Sequence, residues 1–131
     1  MEPRKILIVE SSRNMRTAYG LMLREYPLLF AGDGREAIER LGNHLDVDLV
    51  LTGLNPGHYT VVELLGELRE KLPGEAPAVV VFSSEGRDED THRALEAGAA
   101  AYIHRPFLAE DLKAVIAALP PRHFPPSDDA E

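Results

Sequence analysis

Short apolar runs alternate along this chain with amphipathic stretches. Ile6-Leu7-Ile8-Val9, Leu49-Val50-Leu51 and Val79-Val80-Val81-Phe82 are apolar at every position and rich in β-branched side chains. Runs that are apolar on both faces suit central strands of a parallel sheet covered by helices. Leu28-Leu29-Phe30-Ala31 and Ala100-Ala101-Tyr102-Ile103 are less marked and predict two further strands. Between these runs the apolar positions recur at helical spacing. Met15, Ala18, Tyr19 and Met22 share one face, as do Ala37, Ile38 and Leu41. Val61, Leu64, Leu65, Leu68 and Leu72 form a third stripe, and Leu108, Leu112, Val115, Ile116 and Leu119 a strong last one. Between Arg87 and Ala97 the apolar face is thin, mainly Ala94 and Leu95, so this helix is expected to be the least firmly packed and the most mobile.

Turn residues punctuate the same pattern. Asp33 precedes the second helix as a candidate cap, Asn55-Pro56-Gly57 follows the third strand, Leu72-Pro73-Gly74 stops the third helix and Gly98 the fourth. The predicted order is strand–helix repeated five times. That order implies an α/β fold, a five-stranded parallel sheet with helices on both faces. Residues 4–119 form one domain. Residues 120–131, with four prolines and an acidic end, read as an extended or disordered tail.

Composition narrows the function classes. Without cysteine there is no disulfide, thiolate zinc site or iron–sulfur cluster. Fourteen Lys and Arg against 22 Asp and Glu give a net charge of −8, which argues against direct contact with nucleic acid or an anionic membrane. The first apolar run is too short for a signal peptide and no run spans a bilayer, so the chain is read as cytoplasmic. The five histidines, 44, 58, 92, 104 and 123, show no metal-ligand spacing, and no metal or cofactor is expected.

In an open α/β sheet, ligands bind at the carboxyl ends of the strands. There the chain places Glu10-Ser11-Ser12, Thr52-Gly53-Leu54-Asn55, Ser83-Ser84-Glu85 and His104-Arg105-Pro106. Taken in order with their strands, "KILIVESS", "DLVLTGLNP", "VVVFSSEG" and "AGAAAYIHRPF" resemble the receiver domain of bacterial two-component response regulators. The resemblance covers residues 4–119. It implies the flavodoxin-like receiver fold and phosphoryl transfer from a histidine kinase to an aspartate at the end of the third strand. That reaction needs acids after the first strand to hold Mg²⁺, and a lysine after the fifth to neutralise the phosphoryl charge.

The sequence departs from that pattern at each chemical position. The phosphoacceptor position is Gly53, the acid pair is Glu10 and Ser11, the lysine is Arg105, and the loop proline comes one place early, after Asn55. Ser83 keeps the hydroxyl position and Tyr102 the aromatic one. The expected function is therefore that of a non-phosphorylatable pseudo-receiver, a protein-interaction module in bacterial signalling or transcriptional control. It is not expected to be an enzyme. Arg105 is expected to pair with Glu10 across the sheet edge, with bidentate geometry available to it, and the resemblance implies a cis Arg105–Pro106 bond. The resemblance also points to an interaction face on the fourth helix, fifth strand and fifth helix, carried by Arg93, Leu95, Tyr102, His104 and Lys113. Its partner would be a signalling kinase or regulator, or a second copy. The alternative is a small-molecule sensor binding a neutral or anionic ligand in the degenerate pocket near Arg105. Plainer readings stand beside these: Ser83 as a strand-end hydroxyl bonding nearby backbone, and Tyr102 as a half-buried strand aromatic.

Overall fold

A computed structural model describes residues 4–54, 56–74, 76–83 and 88–119. Five strands, β1 (Ile6–Val9), β2 (Leu28–Ala31), β3 (Leu49–Gly53), β4 (Ala78–Ser83) and β5 (Ala101–His104), alternate with five helices. The helices are α1 (Arg13–Met22), α2 (Gly34–Asn43), α3 (Val61–Lys71), α4 (Asp88–Glu96) and α5 (Ala109–Ala118). All strand pairs are parallel, in the order β2-β1-β3-β4-β5. The expected five-stranded parallel sheet with helices on both faces is thus observed. Residues 120–131, read above as a tail, lie outside the described residues.

Strand alternation divides the core in two. Leu7, Val9, Val50, Val79 and Val81 point to one face, where Ala37 and Leu41 of α2, Leu64 and Leu68 of α3 and Ala94 of α4 cover them. Ile6, Ile8, Leu49, Leu51, Val80 and Phe82 point to the other, beneath Tyr19 of α1 and Leu112 and Ile116 of α5. The strands that read as uniformly apolar are those buried on both sides.

Helix boundaries follow the polar caps. Ser12 opens α1 by accepting from the Met15 N–H, so that helix starts before its first apolar residue. It ends at Met22, the last residue of its apolar stripe. Asp33 caps α2 as expected, its carboxylate accepting from the Glu36 N–H at 2.8 Å. Thr60 and Glu63 cap α3 reciprocally. The thin apolar face of α4 gains Thr91, which is buried beside Ala94. Its C-terminal end is held from α3, where Arg69 donates to the Ala97 carbonyl. Gly98, at φ +120°, turns the chain directly against that guanidinium. Among the described residues, no helix is long and apolar enough to cross a membrane.

Candidate functional site

The strand order reverses direction at β1: the chain passes from β1 outward to β2 on one side and returns to β3 on the other. Such a switch point leaves a crevice at the carboxyl edge of the sheet. A cleft of ≈ 530 Å³ lies there, lined by Glu10 and Ser11 after β1, Gly32 and Asp33 after β2, Gly53 and Leu54 at β3, Gly57 and His58 in the following loop, and Arg105 after β5. The structure therefore brings Glu10, Ser11, Gly53 and Arg105 to one site. Ser83 ends β4 with its backbone opposite His104. Asn55 lies outside the described residues.

Arg105 is the cleft's guanidinium, and the floor beneath it is aromatic. Its Cζ stands 4.9 Å over the Phe82 ring. Phe82 stacks at 5.2 Å on Tyr19 and at 5.4 Å on Phe107. The Nη2 of Arg105 donates to the Tyr19 hydroxyl at 3.1 Å. Burial pushes the Tyr19 phenol above its ordinary pKa, with the nearby guanidinium acting against that shift. Glu10 stands 4.0 Å from the same Nη2. The expected pairing of Glu10 with Arg105 is thus present as an ion pair at the outer limit of contact, and not as the hydrogen-bonded fork open to the two groups. The reason is that both groups have other partners. One carboxylate oxygen of Glu10 accepts from the Ser12 N–H at 3.0 Å, and Arg105 is drawn to Tyr19 and the Phe82 face. The Arg105–Pro106 bond is cis.

Gly53 closes β3 in register with Phe82. Strand alternation places any side chain at position 53 on the same side as Leu49 and Leu51, the side of Phe82 and its guanidinium cover. No described atom lies within 4 Å of where a Cβ on Gly53 would stand.

The opposite wall comes from the loop after β3. Gly34 at the start of α2 donates to the carbonyls of Pro56 and Gly57 at 2.7 and 3.1 Å, and Val61 donates to Leu54 at 2.8 Å. Gly57 and His58 both adopt positive φ, +84° and +65°, and a bridge between Gly57 and Tyr59 leaves His58 at the tip. His58 Nε2 stands 3.5 Å from the second oxygen of Asp33. Among the described residues no group of three His, Asp or Glu side chains could hold a metal ion.

The residues read as an interaction face are dispersed around β5. Tyr102 is 41 % exposed and meets His104 edge to face at 5.1 Å. Leu95 packs against the α2/α3/α4 core. Arg93 is engaged within its own helix by Glu89 and Asp90. Lys113 pairs with Glu25, in the segment between α1 and β2, at 3.0 Å. Sequence reasoning did not connect Tyr19, Phe82 and Phe107 to the site, nor Asp33 to His58. Tyr19 lies 86 residues from Arg105 and carried only a core-face signal.

Residues 6–117 match the response regulator receiver domain family. The chain is 35% identical over 116 residues to the nitrate/nitrite response regulator protein NarL of Escherichia coli (strain K12), covering 85% of this chain and 52% of that one. It is 36% identical to the transcriptional regulatory protein PdtaR of Mycobacterium tuberculosis (strain ATCC 25618 / H37Rv), covering 84% and 53%. The chain thus spans about half the length of these two relatives. A chemotaxis protein CheY homolog of Campylobacter jejuni subsp. jejuni (strain ATCC 700819 / NCTC 11168) is 30% identical, over 83% of this chain and 86% of its own. The fold matches a response regulator receiver domain from Clostridium thermocellum with a TM-score of 0.79 at 21% identity, covering 87% of this chain and 91% of that one. A signal receiver domain from Bermanella marisrubri aligns with a TM-score of 0.80 at 21% identity, over 90% and 98%. With its doubly wound sheet, its switch-point cleft and these relatives, the chain belongs to the response regulator receiver domain family.

Proposed function

We propose that this receiver domain works in signalling without accepting a phosphoryl group at the end of β3. The observation that carries the reading is Gly53: the residue in register with Phe82 at the strand end has no side chain and supplies no nucleophile. The metal chemistry of the family fits these residues poorly. Mg²⁺ prefers an octahedral set of oxygens drawn partly from carboxylates. Here Glu10 already accepts from Ser12 and faces Arg105, and Asp33 is committed to capping α2 and to His58. A receiver without that chemistry acts through its contacts, and the exposed Tyr102 edge of β5 is the face we assign to a protein partner, a kinase or another regulator. The test is intact mass after incubation with acetyl phosphate and Mg²⁺. The expected result is an unchanged mass, whereas a phosphoryl adduct would overturn the reading. Tyr102→Ala should weaken binding of a cognate partner while leaving the far-UV circular dichroism unchanged.

A further inference from the structure

We infer that the cleft at the carboxyl edge of β1 and β3 binds a small carboxylic acid, its carboxylate lying between Gly53 and Arg105. The guanidinium has five N–H donors in a planar fork suited to a carboxylate. Within the described structure only Nη2 is committed, to a neutral hydroxyl on Tyr19. The side chain remains 39% exposed, and its stacking on Phe82 together with the Tyr19 bond holds it in one orientation. A cation fixed in advance loses little freedom when it binds.

The space for an acid is on the same side of the sheet. Position 53 projects toward the Phe82 face on which Arg105 lies, and a Cβ there would meet no described atom within 4 Å. The cleft, at ≈ 530 Å³, is within the range of small-molecule sites. Glu10 sets the limit on affinity. It stands 4.0 Å from Nη2 and competes electrostatically for the guanidinium, although its own hydrogen bond goes to Ser12. Asp33 is turned to other partners, accepting from the Glu36 N–H at the start of α2 and standing 3.5 Å from His58 Nε2.

The inference deepens the proposed function and rests on position 53 carrying no phosphoryl group, which intact mass tests separately. The experiment is a titration of the full chain with succinate at constant ionic strength, following the Gly53 amide and Arg105 Nε–H signals by NMR. Saturable shifts of both are expected. Arg105→Gln should weaken binding at least about tenfold, the scale of a charge-assisted hydrogen bond. Glu10→Gln should tighten it, by relieving the competition. Gly53→Asp should abolish it, because a built-in carboxylate takes the same place. Shifts that stay linear, that chloride reproduces, or that persist in Gly53→Asp would overturn the inference, even if Arg105→Gln failed to fold. Capped aspartate binding as tightly as succinate would identify an acidic side chain of a partner as the source of the carboxylate. Preference for succinate would identify a free diacid.

Discussion

At the scale of single residues, two glycines define opposite situations. A Cβ on Gly53 would meet no described atom within 4 Å, so Gly53→Ala should change the unfolding free energy by less than about 1 kcal/mol. A Cβ on Gly34 would stand 2.8 Å from Cδ2 of Tyr59 and 3.1 Å from the Gly57 carbonyl. Gly34→Ala should therefore cost about 1–3 kcal/mol, read from the urea midpoint, because the loop after β3 must lift from the start of α2. The same contact helps the loop hold its shape: Gly34 donates to the carbonyls of Pro56 and Gly57 within it. Tyr19 is the other informative residue. Tyr19→Phe keeps the ring stack and removes only the acceptor for Arg105. Since the half-exposed guanidinium can turn to water, the expected loss is about 1 kcal/mol or less in urea unfolding. If the loss were several kcal/mol, the hydroxyl would be holding more of the core than the geometry indicates.

At the scale of elements, the caps separate helices that are fixed locally from those fixed by neighbours. Thr60→Ala removes one half of the reciprocal cap on α3 and should cost about 1 kcal/mol. Helix α4 is different, since its C-terminal turn is held by Arg69 from α3. Arg69→Ala should raise amide exchange selectively in the last turn of α4, with little change in α2 or α5. This contrast marks what could be read in advance. Three of the five strands were plainly legible because Ile6–Val9, Leu49–Leu51 and Val79–Phe82 are buried on both faces and so carry unbroken apolar runs, whereas β2 and β5, more exposed, were less marked. Asp33 was legible because capping is a local event. The aromatic floor was not, because Tyr19, Phe82 and Phe107 meet only through the sheet topology, and each residue alone reads as ordinary core. The distance between Glu10 and Arg105 was not legible for a related reason. Opposite charges at the carboxyl ends of β1 and β5 suggested a pair, but the competing donor and acceptor, the Ser12 N–H and the Tyr19 hydroxyl, are visible only in three dimensions.

At the scale of the whole molecule, the charge balance shapes the response to acid. Three carboxylates are held below their ordinary pKa: Glu36 chiefly by the Gly32 N–H, Asp46 chiefly by Lys5, and Glu25 chiefly by its own backbone N–H with help from Lys113. A carboxylate whose pKa is lower in the folded chain than in the unfolded one adds stability above its unfolded pKa. That contribution disappears as pH falls through the folded value. Thermal stability should therefore decline as pH falls below the ordinary carboxylate range. Glu36→Gln should flatten that decline while lowering the plateau near neutrality, measured as Tm against pH. All three groups are at the surface, so added salt should reduce the effect of the charged partners Lys5 and Lys113.

The stacked floor of the cleft also gives the protein an intrinsic optical signal. The chain has no tryptophan, so its near-ultraviolet circular dichroism arises from tyrosine and phenylalanine alone. Tyr19 is fully buried in a parallel stack with Phe82, fixed in an asymmetric setting, and its hydroxyl is bonded to the guanidinium of the cleft. Its phenol also ionises above its ordinary value, so its absorption band keeps the protonated form further into the alkaline range than a free phenol would. Whatever engages Arg105 will disturb that chromophore, and events in the cleft can be followed without attaching a label.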